Sequence, residues 1–177
     1  MPELSLRPAL VQDAREIACV QHESWVEAYR QLLPAGFPLR DEEERITIWQ
    51  QRVMEHPCHT LVAEIDGAIV GFIFWEPVSS VMAEISSLYL HPFVWRRGIG
   101  RQLLEQATLD MRLAGFLRVG LWVMSGNIRA ERFYLSQAFQ YDGQTRQRKA
   151  AWQGGYVQRH MVRSLRLIMH GGDCTVR

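Results

Sequence analysis

Between residues 84 and 115 the chain runs, without any linker, from a strand into a tight turn and then into a one-sided helix. Residues 84–90, Glu-Ile-Ser-Ser-Leu-Tyr-Leu, read as a strand that Pro92 stops. The turn is Val94-Trp95-Arg96-Arg97-Gly98-Ile99-Gly100-Arg101. From Ile99 onward, Leu103, Leu104, Ala107, Met111 and Ala114 return at helical spacing, and Gly115 closes the helix.

The rest of the chain alternates in the same way. Leu4 to Arg7 alternate as a short strand ending at Pro8, and Asp13 is placed to cap a helix reaching about Trp25. Two prolines and a glycine break that helix over 29–38, and a second helix from Asp41 carries Ile46, Trp49 and Val53 to His56-Pro57. Residues 60–65 and 68–75, joined at Asp66-Gly67, read as a hairpin. A strand over 118–124, a helix over 127–137 and a closing hairpin of 141–148 with 156–165 complete the pattern. Mixed elements in this order predict one α/β or α+β domain over 1–166 with a mostly antiparallel sheet, followed by a tail at 167–177.

Twenty Lys+Arg against nineteen Asp+Glu leave a net charge of +1, which argues against a broad nucleic-acid surface. Lys149 is the only lysine, so the positive charge is almost wholly guanidinium. Cys19, Cys58 and Cys174 lack the spacing of a disulfide framework or a structural zinc site, so no metal is expected. With no apolar leader and no apolar run of membrane length, a cytoplasmic chain that does not enter the membrane is expected.

Three arginines, Arg96, Arg97 and Arg101, stand within six residues at the turn. Two glycines let the backbone turn tightly, and the helix start adds partial positive charge. Such a turn is an anion site. It lacks the Gly-Lys-Ser/Thr of a nucleotide triphosphatase loop and the third glycine of a dinucleotide fingerprint, so a pyrophosphate held without magnesium suits it better.

The turn and its flanks resemble the phosphate loop of the GCN5-related N-acetyltransferase (GNAT) family, Gln/Arg-x-x-Gly-x-Gly/Ala, with Trp95 in the place of Gln/Arg. Asn127, Tyr134 and Phe139 resemble the family's second motif, Asn-x6-Tyr-x4-Phe, with Ala138 in place of a glycine. The resemblance implies a GNAT fold, helices on both faces of the central sheet, and acetyl-CoA as co-substrate. It implies that the amides of Arg96, Arg97, Gly98, Ile99, Gly100 and Arg101 hold the pyrophosphate. Leu88, Tyr89 and Leu90 would meet the pantetheine arm as an added strand does, and Asn127 would contact the same arm, besides serving as a helix N-cap. Tyr134 matches the family's general acid for the departing thiolate. Glu84 is the first candidate for the base, with His91 nearer the turn as the second.

On the acceptor side, Trp25 and Tyr29 resemble residues of small-amine and polyamine acetyltransferases, where aromatic faces hold a cation. The implied activity is acetyl transfer to a primary amine, with a small-molecule amine such as a polyamine as acceptor. Acetylation of a protein N-terminus or lysine, and a non-catalytic acyl-CoA-binding module, are the competing readings. Homodimers are common in the family, and no residue here decides the point.

Overall fold

The computed structural model describes residues 3–30, 32, 40–148 and 155–165. Its strands are β1 (Leu4–Pro8), β2 (Thr60–Ile65), β3 (Ala68–Pro77), β4 (Met82–Leu90), β5 (Arg118–Met124), β6 (Gln140–Arg148) and β7 (Tyr156–Ser164). Its helices are α1 (Ala14–Tyr29), α2 (Glu42–Glu55), α3 (Ile99–Leu113) and α4 (Ile128–Ser136). The strands form one sheet in the order β1-β2-β3-β4-β5-β7-β6. Among the described residues only β4 and β5 run parallel, and every other pairing is antiparallel.

Each face of the sheet has its own core, and strand alternation sorts the side chains between them. Leu103, Leu104, Ala107 and Met111 of α3 pack on Ala83, Ile85, Val119, Leu121 and Met161. On the other face, Ile17 and Val20 of α1 and Ile46, Trp49 and Val53 of α2 cover Val62, Phe72 and Phe74. This second cluster takes residues from β2, β3 and Tyr89 of β4, and none from β5, β6 or β7. Glu84, Trp122 and His160 alternate with Ile85, Leu121 and Met161, so they stand on the α1–α2 face of the sheet, beyond this cluster.

Two local expectations change. Asp13 occupies the cap position of α1, but its carboxylate accepts from the Leu10 amide and from Arg7, both at 2.7 Å, and makes no bond to α1. The Arg7 charge, arriving from β1, outcompetes the helix amides. The helix also runs on to Tyr29, past the expected end near Trp25. Asp41 caps α2 as expected, accepting from the Glu43 amide at 3.0 Å. Most of the break at 29–38 and the tail at 167–177 lie outside the described residues.

Candidate active site

The site begins with a fault in the sheet. β4 pairs with β5 only from Met82↔Arg118 to Ile85↔Leu121. At that point β3 matches Phe74 to Ser87 and Trp75 to Ile85, leaving Ser86 as an extra residue. A bulge bends the strand that carries it. Beyond it β4 and β5 pair no further, and a cleft of about 310 Å³ lies at the divergence. The His91 amide bonds Val70, which sets the phase of the antiparallel ladder. Residues alternate in such a ladder, so Tyr89 faces β3 while Leu88 and Leu90 turn their main-chain groups toward the cleft.

The turn at the end of β4 closes one end of the cleft. Pro92–Val94 form a 3-10 turn, and Gly98, at φ +81°, starts α3 from the left-handed region. That backbone suits glycine, and among the described residues no side chain caps the first amides of α3. An uncapped helix start with positive dipole is a ready anion seat. Trp95 ties the turn back to the strand, its indole N–H donating to the Leu90 carbonyl at 2.9 Å. Arg129 of α4 lies over the Trp95 ring at 3.8 Å. Trp95, Arg96, Gly100 and Arg129 all line the cleft.

Tyr29, Tyr89, Asn127 and Tyr134 line its interior. Asn127 caps α4 through Oδ1, accepting from the Ala130 amide at 3.2 Å, and it also hydrogen-bonds the Tyr29 hydroxyl. One side chain therefore joins the end of α1 to the start of α4. Burial pushes the Tyr134 phenol above the usual tyrosine range, and the nearby Tyr29 raises it further. Burial likewise raises Tyr89, which also feels Tyr29, Tyr134 and Tyr156. These phenols stay protonated at neutral pH, so Tyr134 is a proton donor there.

The far wall carries a polar chain. Glu84 accepts from the Trp122 indole N–H at 3.1 Å. The Trp122 ring leans on His160, with centroids 4.6 Å apart, and His160 Nδ1 meets Asp142 at 2.6 Å. His160 Nε2 occupies space left by Gly120, where an added Cβ would lie 2.7 Å from it. Burial works against the Asp142 charge, but His160 and the Gln144 amide outweigh it and hold the carboxyl below the usual range.

Leu88, Tyr89, Leu90, Arg96, Gly100, Asn127, Tyr134 and Tyr29 thus share one cleft. Arg97, Gly98, Ile99, Arg101, Trp25 and Glu84 do not line it. Arg101 pairs with Glu105 at 2.7 Å, Trp25 packs on Tyr29, and His91 pairs with Glu23. Trp122 and Arg129 line the cleft and were absent from the sequence-based candidates. Arg129 lies two residues after Asn127, a proximity that could have raised it. Nothing local marks Trp122. Among the described residues no helix is long and apolar enough to cross a membrane, and no group of three metal-binding side chains gathers.

A split parallel pair, an uncapped helix start at its mouth and a protonated tyrosine within are suited to binding an extended anionic thioester. Comparison with known proteins agrees. Residues 22–139 match the acetyltransferase (GNAT) family. A protein of Archaeoglobus fulgidus called an uncharacterized N-acetyltransferase is 33% identical over 120 residues, spanning 64% of this chain and 80% of its own length. The crystal structure of PaiA N-acetyltransferase from Thermoplasma acidophilum in complex with coenzyme A superimposes with a TM-score of 0.72, covering 92% of this chain and 99% of that one at 21% identity. YncA of Salmonella typhimurium, with its cofactor acetyl-CoA, gives a TM-score of 0.69 over 97% of this chain and 99% of that one at 19% identity. The chain belongs to the GNAT family and is an N-acetyltransferase.

Proposed function

We propose that this enzyme transfers acetyl from acetyl-CoA to a small-molecule primary amine, by direct attack of the amine on the thioester. The observation that carries this reading is the cleft between β4 and β5, which leads from the uncapped start of α3 to the Tyr134 phenol. The first amides of α3, with Arg96 and Arg129 beside them, suit the pyrophosphate. Leu88 and Leu90 would pair with the pantetheine arm as an added strand would. Because the Leu90 carbonyl already accepts from Trp95, its amide is the group left to meet the arm or the thioester oxygen. Trp95 so replaces the usual Gln/Arg with a brace between turn and strand.

Acetyl-CoA supplies the activated acyl group and the thiolate leaving group. As the amine nitrogen bonds to the acyl carbon and the C–S bond breaks, Tyr134 gives its proton to the sulfur. Glu84, one step behind the cleft wall and bonded to Trp122, would take the ammonium proton through water. Thiol release from acetyl-CoA, followed across polyamines, amino acids, aryl amines and N-terminal peptides, tests the proposal. Release with small amines supports it. Release with peptides alone would make the enzyme a protein acetyltransferase, and acetyl-CoA binding with no release from any acceptor would make it a binding module.

A further inference from the structure

The strands beyond Trp122 hold a charge that the reaction above leaves unused. Arg146 of β6 lies with its guanidinium carbon 4.2 Å from the centre of the Trp122 ring, a cleft-lining residue. It is half-buried, and its Nε donates to Gln158 Oε1 at 2.7 Å. Arg148 donates to the same oxygen at 3.4 Å. Two guanidiniums are therefore held side by side by one neutral amide, and among the described residues neither has a carboxylate within ion-pair distance. Glu84 offers Arg146 only longer-range attraction, and Asp142 is committed to His160. Trp122 itself links the pair to the cleft, since one face carries Arg146 and the residue lines the cavity.

The local charge balance points the same way. Over residues 140–165 Asp142 is the sole acid against Arg146, Arg148, Lys149, Arg159 and Arg163, in a chain whose net charge is only +1. Arg159 lies over Tyr141 and Arg163 over Phe139, so neither neutralises the excess. Gln158 and the Trp122 ring hold Arg146 in place without neutralising it, and its planar fork matches a carboxylate or phosphonate.

We infer that Arg146, with Arg148 beside it, binds an acidic group on the acceptor, so that the amine acetylated here also bears a carboxylate or similar oxyanion and is not a polyamine. This rests on the small-amine reading above. The reacting amine lies toward the thioester and the acid toward the β6–β7 hairpin, with Trp122 between them.

The test is steady-state acetylation of amino acids, the methyl esters of the same amino acids, their decarboxylated amines and spermidine, with an ω-amino acid series to vary the spacer and aminoalkylphosphonates to separate the two oxyanions. The free acids should show a KM about ten- to a hundredfold below their esters, at similar acetyl-CoA KM. Arg146→Met should remove that preference by raising KM for the acids alone, and Arg146→Lys should restore part of it. Thermal unfolding checks that the variants fold; the acid-to-ester comparison in wild type needs no variant. Equal KM for acids and esters, or spermidine as the preferred acceptor, overturns the inference and leaves small-amine acetylation standing. Turnover with peptides only, or with no acceptor, overturns both.

Discussion

The two walls of the cleft are built by different means. The wall toward the α3 turn is one continuous segment, from β4 through Trp95 to Gly100, and its chemistry comes from backbone: outward-turned amides of Leu88 and Leu90 and an uncapped helix start. The opposite wall presents Trp122, and behind it Glu84, His160, Asp142 and Arg146, from β4, β5, β6 and β7, meet through pairings of distant strands. Backbone chemistry suits a ligand whose shape does not vary, and side-chain chemistry suits one that must be chosen. On the function proposed above, acetyl-CoA would lie along the first wall and the acceptor would be chosen at the second.

Several substitutions would break or sharpen that contrast. The largest effect is expected at Tyr134, the acid of the proposed reaction. Tyr134→Phe should lower kcat about a hundredfold while acetyl-CoA affinity, measured by titration, changes little. A comparable loss of acetyl-CoA binding would move Tyr134 to the cofactor wall. The raised phenol also predicts that kcat shows no loss from Tyr134 ionisation below about pH 10, because deprotonation of this group is displaced above the ordinary tyrosine value. Loss of activity at lower pH in wild type but not in Tyr134→Phe would contradict that.

Gly120→Ala tests the second wall alone. Its Cβ would stand 2.4 Å from Met82 Cε and 2.7 Å from His160 Nε2, so His160 must shift beneath Trp122. Denaturant unfolding should register about 2 kcal/mol of lost stability. The amine KM should rise while the acetyl-CoA KM holds, and a rise in both would show that the walls are not independent. Trp95→Phe tests the first wall. It keeps a ring under Arg129 but removes the donor to the Leu90 carbonyl, which costs about 1 kcal/mol and raises the acetyl-CoA KM about fivefold.

The smallest effect concerns acid. Asp13 and Asp142 both have carboxyls held low: burial opposes each charge, but Arg7 and the Leu10 amide win at Asp13, and His160 wins at Asp142. A depressed folded pKa gives stability that is full above the unfolded value, about 3.9, and fades as pH falls through the folded one. Unfolding followed from pH 5 to pH 2 should therefore show a falling limb that Asp13→Asn flattens. An unchanged limb would shift the acid sensitivity to other carboxylates.

Strand and helix locations were largely legible because alternation and 3.6-residue spacing are local. The 60–65 and 118–124 strands match their expected bounds, and the apolar stripe from Leu103 to Met111 is the buried face of α3. The glycine turn was legible for a related reason: Gly98, the helix start and its arginines all lie within a few residues. Asn127 and Tyr134 were found from a motif, yet the bond of Asn127 to Tyr29, and the gathering of all three in one cleft, needed α1 to end beside α4. Arg101, whose amide the resemblance places at the pyrophosphate, pairs its side chain with Glu105 one helical turn on. Spacing alone does not fix a side chain's direction when a closer partner exists.

What the sequence alone determined is therefore a mixed fold with a glycine- and arginine-rich turn at a helix start, since dihedral preference, periodicity and the helix dipole act over a few residues. Only the tertiary structure decided where β4 leaves β5, that Trp95 occupies the Leu90 carbonyl, and that Arg146 meets Trp122. The first depends on a bulge that adds one residue to a ladder, the second on the path of the turn after β4, and the third on β7 entering the sheet between β5 and β6, which brings residues more than twenty positions apart into contact.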